Sequence, residues 1–241
     1  MIEDKMKAVI LAAGNGKRLG LNIPKCLVEI GPDETLLSRL IKQIIEAGIP
    51  EEDICVVAGY KYDNVIKYLT HRKYKTHIII QEERLGTAHA LSKAESFAKY
   101  NDIIVACGDN YFDGSIKDMI SLYKNSHTDG LISIFELEEP RDWGIVHLDN
   151  NYVHKMILYE PCGINSKFSD AEVYILPNRI YKYIMSKGTL NMKKGRHEWE
   201  LVLSINKAIE DGMNIEYYKV AGHVNINEKK DLERLRYARR I

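Results

Sequence analysis

The chain has 241 residues, with 34 Lys+Arg against 34 Asp+Glu and a formal net charge of zero. That length can bury a full core without disulfides and fits one large domain better than two. The balanced charge argues against a protein that works mainly on nucleic acid or on an anionic membrane surface. The four cysteines, Cys26, Cys55, Cys107 and Cys162, have no paired spacing and are expected to be reduced and mostly buried. The eight histidines form no ligand set of the His-Glu-x-x-His kind, so a zinc site is not expected. Residues 1–6 lack the apolar stretch of a signal peptide and no apolar run is long enough to span a bilayer, so a cytoplasmic location without membrane partners is expected.

Ala8–Ala13 reads as a first strand, and Leu36, Leu37, Leu40, Ile41, Ile44 and Ile45 form a helical stripe stopped by Gly48 and Pro50. Ile54–Ala58 is the next strand, Asp63–Leu69 a short helix and His77–Gln81 a third strand. From Gly86 a helix carries Ala90, Leu91, Ala94, Phe97 and Ala98 on one face. Ile103–Ala106 is a fourth strand, and a helix with Ile116, Met119, Ile120 and Tyr123 inward follows. This alternation predicts a mostly parallel sheet with helices on both faces. After about residue 130 strands dominate: Leu131–Leu137, a hairpin of Ile145–Leu148 with Val153–Tyr159, and Glu172–Leu176. Helices over Asn178–Met185 and Glu198–Asp211, a strand over Ile215–Val220 and a last helix after Glu228 complete the chain, with no linker or internal repeat.

The first strand empties into Leu11-Ala-Ala-Gly-Asn-Gly-Lys-Arg-Leu-Gly20, closed by Pro24-Lys25. Glycines let a backbone approach closely and aim N–H groups at anionic oxygens, while Arg18 and Lys25 supply charge, so the pattern suits a polyphosphate. It is not the dinucleotide fingerprint, because Gly20 comes one residue late, and it is not the P-loop, because Leu11 and Arg18 replace the required Gly and Ser/Thr. Gly14–Arg18, Gln81–Gly86 and Asp109 each follow a strand end and should converge on one crevice.

In this order, five segments resemble the sugar-1-phosphate nucleotidylyltransferases, the sugar-nucleotide pyrophosphorylases. They are the Leu11–Leu19 signature with Pro24-Lys25, Gln81-Glu-Glu-Arg-Leu-Gly-Thr-Ala-His-Ala90, Gly108-Asp109-Asn110, Trp143-Gly144-Ile145-Val146 with Glu160-Pro161, and Val224-Asn225-Ile226-Asn227 with Asp231-Leu232. The resemblance implies an α/β, Rossmann-like three-layer sandwich with a mostly parallel mixed sheet and a β-rich sugar-side insertion. It implies one domain over 1–241, with a nucleotide-binding half at 1–130 and an acceptor-binding half at 131–241.

By that resemblance the chain joins UTP or dTTP to a hexose 1-phosphate, with glucose 1-phosphate favoured, and releases pyrophosphate. Arg18, Lys25 and Asp109 carry catalysis. Leu11, Ala12, Ala13, Gly14, Asn15, Gly16, Lys17, Arg18, Gln81, Gly86, Thr87 and Gly108 hold the nucleotide, with Gln81 and Gly86 reading the base. Lys25, Asn110, Gly144, Glu160, Asp170 and Glu172 hold the acceptor. Asp109 holds Mg²⁺ with Asn225, and Asn227 stands two residues away as the other candidate ligand. His89 is expected to be a packed or half-exposed residue rather than a catalyst, and Trp143 and Trp199 packing residues. A homo-oligomer is compatible with these readings.

Three departures from the family pattern stand out. No lysine separates Glu160 from Pro161, Asp170-Ala171-Glu172 replaces Asn-x-Gly, and Lys17 replaces a more usual Thr. The first two are compatible with an alternative, a cytidylyltransferase acting on phosphocholine, inositol phosphate or another small phosphorylated acceptor. A non-catalytic nucleotide-sensing subunit is the second alternative, set against by the presence of Arg18, Lys25 and Asp109.

Overall fold

The computed structural model describes residues 5–15, 20, 22–137, 142–161, 166–192, 195, 197–226 and 229–238, with backbone alone at 142, 143, 159–161, 229, 234 and 236–238. Strand β1 (Lys7–Ala12) lies between β4 (Ile54–Ala58) and β6 (Ile103–Cys107), parallel to both. β5 (His77–Ile80) extends the sheet beyond β4. On the other side follow β11 (Phe168–Leu176), β8 (Gly130–Glu136), β14 (Ile215–Lys219), β10 (Tyr152–Pro161) and β9 (Asp142–Asp149). The nine strands run in the order β5-β4-β1-β6-β11-β8-β14-β10-β9. Only β11 and β10 run against the rest. The architecture is an α/β, Rossmann-like mixed sheet, mostly parallel as the alternation of elements predicts and mixed as the resemblance implies.

Two cores form because the strands are apolar on both sides. Ala8, Ile10 and Ala12 of β1 pack on one face with α1 (Leu36–Glu46), α2 (Tyr62–His71) and α5 (Ile116–Asn125). Val9 and Leu11 pack on the other with α3 (Thr87–Lys93), α4 (Glu95–Ala98) and α6 (Leu201–Glu210). The period of two along β1 thus meets a period near 3.6 on the helices. α1 starts where Thr35 accepts from Ser38 N at 3.1 Å and Ser38 Oγ accepts from Thr35 N at 2.9 Å, so two end N–H groups are satisfied reciprocally.

Several expected boundaries shift. The helix from Gly86 breaks at Ala94 into α3 and α4. The helix expected over Asn178–Met185 is a 3-10 turn over Asn178–Lys182. α6 begins at Leu201 rather than Glu198, because Glu198–Trp199 (β13) pairs with Leu190–Asn191 (β12). β11 begins at Phe168, four residues before the expected Glu172.

Besides β12 with β13, two more pairings have no counterpart in the sequence reading. Glu29–Gly31 (β2) folds back on Glu34–Thr35 (β3). Asn110–Asp113 (β7) pairs with Gly222–Asn225 (β15), far away in the chain. This ribbon and α7 (Lys229–Ala238) bring Ile226 and Leu235 onto Val28, Ile30 and Leu36 in a small third cluster. Cys26, Cys55 and Cys107 are free and buried, as expected, and Cys162 lies outside the described residues. Among the described residues no helix is long and apolar enough to cross a membrane.

Candidate active site

Beyond the carboxyl ends of β1, β4 and β6 the backbones stay hydrogen-bonded to one another. Gly108 N donates to Leu11 O at 2.9 Å and Tyr60 N donates to Ala13 O at 3.2 Å. A Cβ on Gly59 would lie 2.7 Å from the Ala13 Cβ, so a glycine is required there, a need the sequence reading did not register. Leu11, Ala12 and Ala13 are buried, and the chain emerges at Gly14, which is exposed, and Asn15. A Cβ on Gly14 would stand 3.9 Å from Asp109 Oδ2, so the glycine loop opens directly beside that carboxylate. Gly16, Lys17 and Arg18 lie outside the described residues.

Pro24 leads into a single 3-10 turn, Lys25–Leu27, that carries Lys25 inward. Lys25 is only 8% exposed, and its Nζ donates to Asp109 Oδ2 at 2.9 Å. Asp109 follows β6 and is held from the far side by β15: Ile226 N donates to Asp109 O at 3.3 Å, and Asn225 is the register partner of Asn110. Asn110 Oδ1 and Asn225 Oδ1 are both buried without a hydrogen-bond partner among the described residues. Asp109 is thus next in the chain to one residue with an unsatisfied amide oxygen, and that residue's register partner carries the other, oxygen donors of the kind a hard divalent cation takes.

Cys107, Asp109 and Glu172 also bring ligand atoms within 4.8 Å of one another. Burial and the nearby carboxylates push the Cys107 thiol well up, so it stays protonated and is a poor ligand for such an ion. Glu172 comes from the bulge of β11, where its φ is +58°. A non-glycine side chain is costly in that left-handed region, and the resembling family has glycine at this position. Its carboxylate accepts from Asn110 Nδ2, while its backbone N–H donates to Asp170 Oδ1 at 2.7 Å. Tyr174 Oη donates to Asp170 Oδ2. Burial, then the charges of Asp109 and Asp170, push Glu172 up from the usual carboxylate range, and burial does the same to Asp170.

Gly144 joins this side, since its carbonyl accepts from Ser169 Oγ at 2.8 Å, next to Asp170. Glu160 is on β10 opposite Trp143, and both side chains lie outside the description.

The second limb of the site follows β5. Gln81 is 3% exposed, and its backbone N–H donates to Ala58 O at 2.7 Å. Its Nε2 donates to Gly86 O at 3.1 Å and meets His89 Nδ1 at 2.9 Å. Gly86 has φ +104°, and a Cβ there would fall 2.3 Å from Trp199 O. Trp199 N donates to Leu85 O at 2.6 Å, which fastens the loop to β13. Thr87 Oγ1 is occupied twice: it donates to Glu200 Oε2 at 3.1 Å and accepts from Leu201 N at 2.9 Å. Thr87 therefore ties the loop to the start of α6. His89 is buried as expected, and burial, then the charge of Lys93, lowers its pKa. Its contact with Gln81 was missed, although the two stand eight residues apart within one motif.

The family model described as Nucleotidyl transferase matches residues 7–223. The chain is 29% identical over 212 residues to the bifunctional protein GlmU of Methanococcus maripaludis strain C5, covering 86% of this chain and 48% of that protein. It thus spans about half the length of the curated relatives it matches. Its fold is similar to that of a putative glucose-1-phosphate thymidylyltransferase from Bacillus anthracis in complex with a sucrose, with TM-score 0.82, 20% identity and coverage of 98% of this chain and 95% of that one. It is also similar to the UTP-bound UGPase of Acinetobacter baumannii, with TM-score 0.79, 20% identity and coverage of 98% and 93%.

Proposed function

We propose that this chain, which belongs to the nucleotidyl transferase family, joins UTP or dTTP to a hexose 1-phosphate in a Mg²⁺-dependent reaction that releases pyrophosphate. Glucose 1-phosphate is the favoured acceptor. The observation that carries the reading is the Lys25–Asp109 pair at 2.9 Å beside the Gly14 loop. A cation and a metal-binding carboxylate are then already together where a polyphosphate and a second phosphate must meet.

The acceptor is its own nucleophile, because a phosphate monoester with a second pKa of about 6 is largely dianionic at neutral pH. No general base is needed, and the work is to bring two anions together in line. The Gly14–Gly16 backbone, Lys17 and Arg18 hold the β- and γ-phosphates and stabilise the departing pyrophosphate. Lys25 holds the acceptor phosphate against the α-phosphorus. Asp109 and Asn225 would hold Mg²⁺, which supplies charge neutralisation between the two phosphates when bound. Gln81 and Gly86 read the base, and Asn110, Gly144, Glu160, Asp170 and Glu172 line the acceptor end.

A second reading is a cytidylyltransferase for a small phosphorylated acceptor such as phosphocholine or inositol phosphate. It is favoured by the buried Asp170 and half-buried Glu172 carboxylates where the family pattern has Asn and Gly. Pyrophosphate release with Mg²⁺, measured for UTP, dTTP, CTP, ATP and GTP against several sugar 1-phosphates and phosphocholine, separates the two. Release that needs UTP or dTTP with a hexose 1-phosphate supports the first reading, and release with CTP and a non-sugar acceptor replaces it by the second. Wild-type turnover in Asp109→Ala with Mg²⁺ would sink both.

A further inference from the structure

We infer that His89 is a positioning residue that fixes the amide of Gln81, so that the site offers a pyrimidine base an acceptor from Gln81 and selects uracil or thymine over cytosine. The inference rests on the nucleotidyl transfer reading of the previous subsection. A glutamine amide can in general flip and present either pattern. Here both hydrogens of Gln81 Nε2 have acceptors, Gly86 O at 3.1 Å and His89 Nδ1 at 2.9 Å. A flip would set Oε1 against the Gly86 carbonyl, which can only accept, and would require His89 to move its proton from Nε2 to Nδ1. With Gln81 Nε2 held toward the Gly86 carbonyl, the matching form of His89 is the neutral ring that accepts at Nδ1 and carries its proton on the other nitrogen.

That leaves Gln81 Oε1, to which no described residue donates, as the group turned to a ligand. The Gly86 N–H likewise has no acceptor among the described residues. One acceptor and one donor complement the N3–H and O4 of uracil or thymine. Cytosine presents N4–H₂ and an unprotonated N3, so its donor and acceptor stand in exchanged positions and the same pose sets like against like.

The test is titration calorimetry of the full chain with UTP and with CTP in Mg²⁺, on wild type, His89→Leu and His89→Asn. Asn places an oxygen near the position of Nδ1 and restores the acceptor. Wild type is expected to bind UTP at least about tenfold more tightly than CTP, the worth of one buried hydrogen bond. His89→Leu is expected to lower that ratio about tenfold, and His89→Asn to restore it. A wild type that binds both equally, or a His89→Leu variant that weakens both in proportion, overturns the inference. Preferential UTP binding with no pyrophosphate release under any acceptor overturns the reaction and leaves the base lock standing, whereas binding of neither nucleotide overturns both.

Discussion

Lys25 Nζ lies 2.9 Å from Asp109 Oδ2, and the two are brought together from a turn after Pro24 and the end of β6 across 84 residues of chain. Removing one partner of such a pair strands the other charge in a largely dry place, which costs more than removing both. Lys25→Met is expected to lower pyrophosphate release by about a hundredfold, the scale of losing one preorganised charge contact. Asp109→Asn is expected to lower it at least as much. In thermal melts the double variant Lys25→Met/Asp109→Asn should be more stable than either single one. A double variant that is less stable than both would show that the pair holds the fold rather than the reaction.

Gly86 is bound by two independent constraints, a φ of +104° and a Trp199 carbonyl oxygen 2.3 Å from where a Cβ would be. Gly86→Ala must break the Leu85–Trp199 contact or move β13. A loss of a few kcal/mol is expected, on the order of other strained or overpacked sites. Urea unfolding measures it. Nucleotide titration should show weaker binding of UTP, since Gln81 is held through the Gly86 carbonyl.

Much of this arrangement was legible because its signals are local. The two faces of β1, the stripe of α1 and the strand ends at Gly14, Gln81 and Asp109 follow from periods of two and 3.6 and from glycine placement. The β7–β15 ribbon was not legible, because Asn110 and Asn225 are paired by tertiary contact across more than a hundred residues. The start of α6 is similar. Glu200 provides no side-chain cap, and Thr87, distant in sequence, accepts the Leu201 N–H instead. The Asp170-Ala171-Glu172 departure was visible as letters, yet the left-handed backbone at Glu172 and the burial of its carboxylate needed the bulge in β11.

Glu172 carries two local costs, the φ of +58° and a partly desolvated carboxylate beside Asp109 and Asp170. Glu172→Gly removes both and is expected to stabilise the protein by about 1 kcal/mol at neutral pH, after the added flexibility of glycine in the unfolded chain is counted. The sign with pH follows from a folded pKa raised above the unfolded one. The wild type keeps full stability below the unfolded value and loses it as pH rises through the folded value. The advantage of the variant should therefore grow from acid to alkaline pH in metal-free urea titrations. A rise in KM for the acceptor with the KM for UTP unchanged would mark Glu172 as an acceptor contact.

His223 makes the opposite case. It lies on β15, with its ring 4.8 Å from that of Phe135, and burial lowers its pKa from 6.5 to about 4, with Asp109 offsetting part of the shift. A depressed folded pKa means that the unfolded chain takes up a proton first as the pH falls. The stability contribution is full above pH 6.5 and is lost progressively toward about pH 4. At about 1.4 kcal/mol per unit the total is roughly 3 kcal/mol. His223→Phe keeps a ring against Phe135 and removes the titration, so its unfolding free energy should fall less between pH 7 and pH 4 than that of the wild type, by up to about that amount. Parallel pH profiles for the two proteins would place the proton uptake elsewhere.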